Sequence, residues 1–462
     1  MIYILNTSTT DEKKIRGSVM TYQECVDYLL SVPLFAKKLG TDNLNQILEI
    51  MGHPERSYRV IHVAGTNGKG STCSFLASIL EQSGKRVGLF TSPHLERINE
   101  RIRINQNLIS DSEFTALFEE VMEVVRCAKE KELGHPSFFE FVFLMGAVYF
   151  QKQKVDYAVF ETGMGGRLDA TNVVQPVLTV ITSVGLDHTQ FLGDTIEEIA
   201  SEKAGIIKQG IPVVFFDHQD GATPVISKYC KKMGAKSFVV EKSQCKLLKI
   251  TEKTIDFSFE NGYYRYDDLK IRKTALYQIE NAMTAVKAFE ILNMTDSICD
   301  SSRDKSSVTN YRLTDTEIEN IRAGLLNMVW PCRMERVARH IYIDGAHNEQ
   351  AIEAFCKTLE TMFRNERKIL LFAVSEDKDY RRMIRRLCEI SFEEIIIVRY
   401  RGDRAAQLET VEAAFRHFSG SKITTFDDIE AGFSYGKSHV EDSYLFCAGS
   451  LYLAGNLLSL GV

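Results

Sequence analysis

Short apolar segments of strand length alternate with longer segments of helical periodicity along most of the chain. The strand-like segments of the first half are residues 60–63, 87–90, 157–160, 178–181 and 212–216. This alternation is typical of a parallel sheet with helices on both faces. We therefore predict that the first part of the chain is an α/β domain built on a parallel sheet.

The longest apolar segment, residues 138–150, predicts a buried helix. It is interrupted by Glu140 and is shorter than the roughly 20 residues that a membrane helix needs. The apolar stretch at the N-terminus is likewise too short for a signal peptide. We expect a cytoplasmic protein that does not span a membrane.

Two segments of the first half depart from the α/β alternation. In residues 237–272, short apolar segments alternate with turn residues as in an antiparallel meander, which predicts a small appended sheet. Residues 296–310 are polar and poor in aromatic residues, which predicts an exposed insertion. A domain boundary should lie soon after this insertion.

Beyond Trp330 the alternation of strands and helices restarts. The predicted strands are residues 341–343, 369–372 and 395–398, and the predicted helices are residues 348–363, 379–390 and 407–417. This pattern predicts a second, Rossmann-like α/β domain over residues 330–462. The first domain would then cover residues 20–329, and residues 1–19 would form an N-terminal extension.

Composition excludes several classes of protein. The chain has 462 residues, of which 44% are apolar and 26% charged, as in ordinary globular proteins. Its net charge of −6 gives no reason to expect a surface that binds polyanions, so we predict no nucleic-acid partner. Ten cysteines are scattered without a C-x-x-C pair, which indicates free thiols in a reducing compartment.

The strongest chemical signal is a glycine-rich loop, Gly65 to Thr72, between strand 60–63 and a helix. Backbone N–H groups in such a loop can approach phosphate oxygens, and Lys69 can reach the terminal phosphates. The spacing departs from the strict G-x-x-x-x-G-K-[ST] pattern, because Gly70 separates Lys69 from the following serine. A turn that only connects strand to helix is the alternative, but we predict a phosphate loop.

Two further polar groups follow predicted strands. Glu161 ends strand 157–160, where a carboxylate faces the ligand crevice of an open α/β sheet and suits Mg²⁺. His188 follows strand 178–181 and could converge on the same cation, although a lone histidine is more often structural. By spacing alone, Lys203 is read as a solvated helix residue.

The second domain offers a third group of polar residues. Arg333 presents a fork of donors for phosphate, and Asp344, after strand 341–343, can hold a ribose hydroxyl. The alternative for Asp344 and Asn348 is turn and helix-capping chemistry.

In this order, the motifs resemble those of the folylpolyglutamate synthase/dihydrofolate synthase family, a branch of the Mur ligase superfamily of ATP-dependent amide-bond-forming enzymes. The resemblance runs from about Met20 to Leu458. The motifs are G-T-N-G-K-G-S, T-S-P-H-L, F-F-E, E-T-G-M-G-G-R-L-D-A-T-N, D-H, E-K-A-G-I-I-K, N-A, W-P-x-R, D-G-A-H-N and G-S-L-Y-L-A-G. Two departures are Cys332, where the family usually has glycine, and Glu349, where proline is common. Cys332 raises the question whether the backbone there needs a positive φ.

The resemblance implies a role for each matching residue. The residues that would bind ATP are Thr66, Asn67, Gly68, Lys69, Gly70, Ser71, Asn281, Arg333 and Asp344. The magnesium set would be Ser92, Glu161, His188 and Lys203. Lys203 stands where the family carries a carbamylated lysine, so the resemblance replaces the interpretation of Lys203 as a solvated helix residue. The pterin segment would be Phe138, Phe139, Glu140, Arg167 and Asp169, whereas His347 and Ser450 would receive glutamate. Catalysis would rest on Lys69, His188, Lys203 and His347.

The implied activity is ATP-dependent ligation of L-glutamate to a folate, and also to dihydropteroate, through an acyl phosphate that gives ADP and phosphate. We expect a monomer that acts on these small molecules. The alternatives are a muramyl-peptide ligase of the same superfamily, a kinase or simple P-loop ATPase, and a non-catalytic nucleotide-binding protein.

Overall fold

Three β-sheets organise the chain in the computed structural model, which describes residues 20–33, 40–217, 221–272, 274–299, 312–400 and 404–461. The predicted extension 1–19 and residues 300–310 of the predicted insertion lie outside the described residues. The start of that insertion was predicted wrongly, because residues 296–299 continue a helix. These four residues contain neither glycine nor proline, so nothing in them stops the helix.

The first sheet has eight strands in the order β4-β3-β2-β5-β1-β6-β7-β8. They are β1 (Arg59–Ala64), β2 (Val87–Phe90), β3 (Ile102–Ile104), β4 (Asn107–Leu108), β5 (Tyr157–Glu161), β6 (Pro176–Ile181), β7 (Val213–Asp217) and β8 (Ser237–Glu241). Six strands are parallel, and β3 and β4 add an antiparallel edge. The parallel sheet predicted from the five apolar segments is confirmed.

Helices cover both faces of this sheet. They are α1 (Tyr22–Ser31), α2 (Asp42–Ile50), α3 (Lys69–Gln82), α4 (Asp111–Glu130), α5 (Phe138–Lys152), α6 (Thr189–Leu192), α7 (Ile196–Ala204), α8 (Ala222–Lys232), α9 (Tyr277–Cys299) and α10 (Asp315–Asn327). On one face α9 and α10 pack against α3, and on the other α5 packs against α4. Helix α5 is almost wholly buried, as its apolar sequence predicts.

The small antiparallel sheet consists of β9 (Cys245–Ile250), β10 (Ile255–Glu260) and β11 (Arg265–Ile271). Its predicted start at residue 237 was wrong, because β8 pairs in parallel with β7 and belongs to the large sheet. Phe238 and Val240 are buried, whereas Val239 between them is partly exposed and Ser237 and Glu241 are exposed. This edge strand therefore has the same two-residue alternation as an antiparallel strand.

The C-terminal sheet has six strands in the order β12-β13-β17-β14-β15-β16. They are β12 (Glu335–Ala338), β13 (Ile341–Ile343), β14 (Lys368–Phe372), β15 (Glu394–Val398), β16 (Lys422–Phe426) and β17 (Tyr444–Ala448). The helices are α11 (Glu349–Met362), α12 (Tyr380–Leu387), α13 (Leu408–Phe418), α14 (Ile429–Lys437) and α15 (Leu451–Ser459). All pairs except β12–β13 are parallel, which confirms the predicted second α/β unit.

The segment between the two α/β units packs directly onto α3. A Cβ atom on Gly70, in the first turn of α3, would lie 2.4 Å from the Trp330 ring. On β3, Arg103 places its guanidinium 5.2 Å from the centre of the same ring. The linker is therefore part of the surroundings of the glycine-rich loop. Within the described ranges, no helix is long and apolar enough to cross a membrane.

Candidate active site

The loops that carry the predicted site residues follow β2, β5, β1 and β6, which are neighbours in the large sheet. Because these strands are parallel, their carboxyl ends lie at one edge. The second sheet brings the loops after β13 and β17 to the same cleft. The site is thus built between two sheet edges.

Close backbone approach fixes the conformation of the glycine-rich loop. A Cβ atom on Gly65 would lie 1.8 Å from Thr182 Oγ1, and one on Gly68 would lie 2.2 Å from Asn281 Oδ1. Gly68 also has a φ of 81° and is the N-cap of α3. These contacts explain why glycine is needed at both positions. The loop leads directly into a helix N-terminus, which favours the binding of an anion.

The predicted ATP-binding hydroxyls are also held by neighbouring residues. Thr66 Oγ1 donates to Gly185 O over 3.0 Å, and Ser71 Oγ accepts from Gln278 Nε2 over 3.1 Å. Asn281 Nδ2 donates to Gln278 Oε1 over 2.9 Å. Gln278 was missed by the sequence analysis, although its position three residues before Asn281 on a helix places both on one face.

Glu161 lies next to the glycine-rich loop at the end of β5. It is 3% exposed, and its carboxylate accepts a hydrogen bond from Ser92 N over 2.9 Å. Burial raises the pKa of Glu161, while Lys69 and Arg333 act in the opposite direction. Ser92, Glu161 and Arg333, together with Gly70, line one cavity. The two predicted oxygen ligands of the magnesium set, Ser92 and Glu161, are thus neighbours.

Lys203 is buried, so the reading as a solvated helix residue was wrong. It is 2% exposed, and no hydrogen bond or ion pair joins its amine to another described residue. Burial, followed by the neighbouring charge of Lys69, lowers the pKa of Lys203 to about 7. A substantial fraction of this amine is therefore neutral near pH 7.

His188 lies at the entrance to α6 with a φ of 51°. Burial lowers its pKa, and Lys378, Lys69 and Lys203 contribute in the same direction, against Asp187. The histidine therefore shares its surroundings with both predicted catalytic lysines. The part of the chain that the structure describes contains no cluster of three or more His, Cys, Asp or Glu side chains able to hold a metal.

Asp344 organises the loop after β13. It is 2% exposed, and one carboxylate oxygen accepts from Tyr277 Oη over 2.6 Å and from Met334 N over 2.8 Å. The other accepts from Ala346 N over 2.8 Å. The Asp344 carboxylate therefore stabilises the turn by accepting backbone hydrogen bonds, which is the alternative role that the sequence left open. Its contact with a nucleotide stays a prediction.

Cys332 adopts a left-handed backbone conformation, which answers the question raised by its place at a usual glycine position. Its φ is 55° and its side chain is fully buried. The neighbouring Arg333 donates from Nη1 to the Cys332 carbonyl over 2.8 Å. The positive φ thus turns the chain immediately before the predicted phosphate-binding arginine.

The two residues predicted to receive glutamate lie after neighbouring strands of the second sheet. His347 Nδ1 lies 2.8 Å from Gly345 O, and burial lowers the pKa of His347 to about 4. Ser450 caps α15 by accepting from Tyr452 N over 3.1 Å. The structure brings both to the cleft, and their contact with glutamate stays a prediction.

The glycine-rich loop touches the second domain directly. Asn67 and Asn348 exchange two hydrogen bonds of 3.1 and 3.0 Å through their side-chain amides. Asn348 also donates to Asp187 Oδ2 over 3.0 Å, and Lys378 Nζ lies 2.7 Å from Asp187 Oδ1. Although burial acts to raise the pKa of Asp187, His188 and Lys378 hold it well below its ordinary range. Lys378 was missed, although it lies in a loop shortly after a predicted strand.

Several predicted pterin-segment residues have structural partners. Glu140 forms a capping box with Ser137 at the start of α5, in which Ser137 N donates to the Glu140 carboxylate over 2.7 Å and Glu140 N donates to Ser137 Oγ over 3.4 Å. Arg167 forms an ion pair with Glu202 over 2.8 Å. Phe138 is buried beneath Arg101, and Phe139 packs near Gly163.

Comparison with known proteins agrees with this geometry. Residues 143–289 match the model of the Mur ligase middle domain, and residues 332–451 match that of the Mur ligase glutamate ligase domain. A dihydrofolate synthase/folylpolyglutamate synthase of Bacillus subtilis is 40% identical over 79% of this chain and 82% of its own length. The chain belongs to the folylpolyglutamate synthase/dihydrofolate synthase family.

Two further relatives of this family match almost the whole chain. A folylpolyglutamate synthase of Lacticaseibacillus casei is 34% identical over 94% of this chain and 97% of its own length. A solved FPGS–AMPPCP complex has 31% identity and a TM-score of 0.78, and the match covers 96% of this chain and 99% of that structure. The folylpolyglutamate synthase/dihydrofolate synthase family consists of ATP-dependent amide-bond-forming ligases, and this chain is one of them.

Proposed function

We propose that this ligase joins L-glutamate to a reduced folate, and also to dihydropteroate. The observation that carries the proposal is the single cavity lined by Gly70 of the phosphate loop, Glu161 of the first sheet and Arg333 of the second domain. Groups suited to phosphate, to a cation and to a substrate anion meet there. The B. subtilis relative has both synthase names, which supports the two acceptors.

The reaction needs activation because a carboxylate is a poor electrophile. An acceptor carboxylate oxygen attacks the γ-phosphorus of ATP, and the bond to the β-phosphate oxygen breaks to release ADP. The glutamate amine then attacks the acyl carbon, the C–O bond to phosphate breaks, and the amine loses a proton. Lys69 and the N-terminus of α3 would neutralise the negative charge that develops during phosphoryl transfer, and the position of Lys69 in the first turn of that helix supports this role.

The residues present suit magnesium. Glu161 offers a buried carboxylate beside Ser92, and oxygen ligands of this kind are those that Mg²⁺ prefers. Ser92, Glu161 and His188 would hold the ion, with Lys203 once modified. When bound, Mg²⁺ would supply charge neutralisation at the transferring phosphoryl group.

Carbamylation of Lys203 is the modification that we propose. A neutral amine that adds CO₂ forms a carbamate and releases a proton, which turns a cationic side chain into an anionic one. The lowered pKa of about 7 supports this reaction, since only the neutral amine is nucleophilic. Burial without a direct ion pair among the described residues also makes the unmodified cation unfavourable at this position, although Asp187 and Asp169 partly favour it.

Asp169 and Arg167 are proposed to recognise the pterin end of the acceptor, and His347 and Ser450 the incoming glutamate. The monomeric state, the cytoplasmic compartment and the lack of a nucleic-acid partner stay predictions from the sequence.

The test is an ATP-dependent ligation assay that offers L-glutamate with dihydropteroate, with tetrahydrofolate and with a UDP-muramoyl peptide in parallel. Turnover of the two pteridine acceptors, with one ADP formed per amide bond, is the expected result. Turnover of only the muramoyl peptide would overturn the proposal, and turnover of only one pteridine would overturn bifunctionality.

A further inference from the structure

His62 is a fully buried polar side chain that no step of the proposed reaction uses. It lies in the middle of β1, three residues before Gly65 of the phosphate loop. Its Nε2 lies 2.8 Å from Thr171 Oγ1, in the segment that follows β5. One strand therefore carries the phosphate loop at its end and touches the proposed pterin segment from its centre.

The contact continues from Thr171 to Asp169. Thr171 Oγ1 donates to Asp169 Oδ1 over 2.5 Å, and Thr171 N donates to the same oxygen over 3.0 Å. Asp169 Oδ2 accepts from Met164 N over 2.9 Å. His62, Thr171 and Asp169 thus form a continuous chain of hydrogen bonds, in which all three residues are buried.

The direction of these bonds fixes the state of the histidine. A hydroxyl has one proton, and that of Thr171 is given to the Asp169 carboxylate. Thr171 Oγ1 must therefore accept from His62, so Nε2 carries a proton. The ring is neutral, because its buried Nδ1 has no hydrogen-bond partner among the described residues and burial lowers the pKa of His62 to about 3. The imidazole acts as a hydrogen-bond donor that orients the threonine hydroxyl.

The rest of the segment is tied down by other bonds. Asn172 Nδ2 donates to Arg167 O over 2.9 Å and to Gly205 O over 3.2 Å. Lys208 Nζ donates to Asn172 O over 2.9 Å. These bonds hold the backbone at the ends of the segment, whereas the chain from His62 reaches the Asp169 carboxylate itself.

We propose that His62 is a positioning residue that orients Asp169, through Thr171, for recognition of the acceptor substrate. The inference rests on the proposed function, in which Asp169 faces the pterin. Because β1 also ends in the phosphate loop, His62 sets the position of the acceptor relative to the phosphoryl group. A neutral hydrogen bond that orients a charged group affects binding by about tenfold.

The experiment compares substitutions that keep or remove each link. His62→Leu removes the donor and His62→Gln keeps one, while Thr171→Val removes the hydroxyl and Thr171→Ser keeps it. The control is Thr179→Val, a buried isosteric change at the position on β6 that is paired with His62. For each variant, KM is measured separately for the acceptor, ATP and glutamate, together with kcat and Tm.

We expect His62→Leu and Thr171→Val each to raise the acceptor KM about tenfold, with the KM for ATP and glutamate within about twofold of wild type. His62→Gln and Thr171→Ser should restore most of the loss. The double variant should be no worse than either single one, because both break the same chain.

Equal changes in all three KM values, or additive effects in the double variant, would show a merely structural role and overturn the inference. If His62→Leu does not fold, the comparison of Thr171→Val with Thr171→Ser tests the inference instead. If the wild type does not turn over any pteridine acceptor, the proposed function fails. If it does, and the acceptor KM of Thr171→Val equals that of wild type, only the inference fails.

Discussion

Asn67 and Asn348 exchange two side-chain hydrogen bonds across the cleft, one amide in the phosphate loop and the other at the start of α11. Both hydrogen bonds of such a pair form together only when the two domains have a defined separation and relative orientation. The phosphate loop is thereby coupled to the position of the second domain, which supplies Arg333 and His347.

The first prediction concerns this amide pair. Asn348→Asp keeps an oxygen to cap α11 but removes the donor to Asn67 and places a second carboxylate beside Asp187. We expect ADP formation to fall by roughly tenfold or more, with Tm nearly unchanged. The control is Asn456→Asp on the exposed side of α15, which should leave the rate of ADP formation at the wild-type value. Equal rates for both variants would refute the coupling.

The second prediction concerns Lys69. Its amine lies 3.2 Å from Thr66 O at the N-terminus of α3. Lys69→Met should lower kcat at least about 100-fold, because a preorganised charge is lost where negative charge develops. Lys85→Met removes an exposed lysine after the same helix and should have no effect. ADP formation at the wild-type rate in Lys69→Met would exclude the proposed chemistry.

The third prediction concerns Lys203. An enzyme depleted of CO₂ should regain activity on addition of bicarbonate, and more rapidly at pH 8 than at pH 6. The fraction of neutral amine increases as the pH rises through its pKa of about 7, so reactivation should be faster at the higher pH. Lys203→Arg keeps the charge but forms no stable carbamate, so it should stay inactive with or without bicarbonate. If the activity of the CO₂-depleted enzyme is independent of added bicarbonate at both pH values, Lys203 is not carbamylated.

The fourth prediction concerns Cys332. Because its φ is 55°, glycine is favoured there over any residue with a Cβ atom. Cys332→Gly and Cys332→Ala both lose the buried thiol, but the glycine variant should be more stable by about 1 kcal/mol. Urea unfolding of both variants measures the difference. At a position with negative φ, the alanine variant is usually more stable than the glycine variant. A higher free energy of unfolding for Cys332→Ala than for Cys332→Gly would therefore contradict a strained conformation at this position.

The fifth prediction concerns the stability of the protein in acid. Burial lowers the pKa of His62 from 6.5 to about 3, so between these values the unfolded chain binds a proton that the folded protein does not. The stabilising contribution is complete above pH 6.5 and is lost as the pH falls towards 3. Between pH 4 and 5.5, wild type should lose about 1.4 kcal/mol per pH unit more than His62→Gln does. If the free energy of unfolding changes with pH equally in the two proteins across this range, the lowered pKa of His62 is refuted.

The sequence predicts the positions of the candidate site residues well where those residues directly follow strands. Glu161 and the phosphate loop could be placed because the carboxyl ends of neighbouring parallel strands share one edge. The positive φ of Cys332 could also be anticipated, since a residue with a side chain stands where glycine is usual. These features depend on local pattern and need no knowledge of distant contacts.

Other features depend on partners far apart in the chain. The Lys378–Asp187 pair joins residues 191 positions apart, and the contact of His62 with Thr171 joins residues 109 positions apart. Neither spacing has a periodicity that could reveal it. The burial of Lys203 was hidden in the same way, because its charged neighbours on α7 are typical of an exposed helix.

Trp330 is the single tryptophan of the 462 residues, and its ring lies against Gly70 at the start of α3. The native protein therefore contains its own optical probe, placed where the linker meets the glycine-rich loop. Tryptophan emission arises from this position only, so a change in its intensity or wavelength on addition of nucleotide needs no extrinsic label and no assignment among several tryptophans.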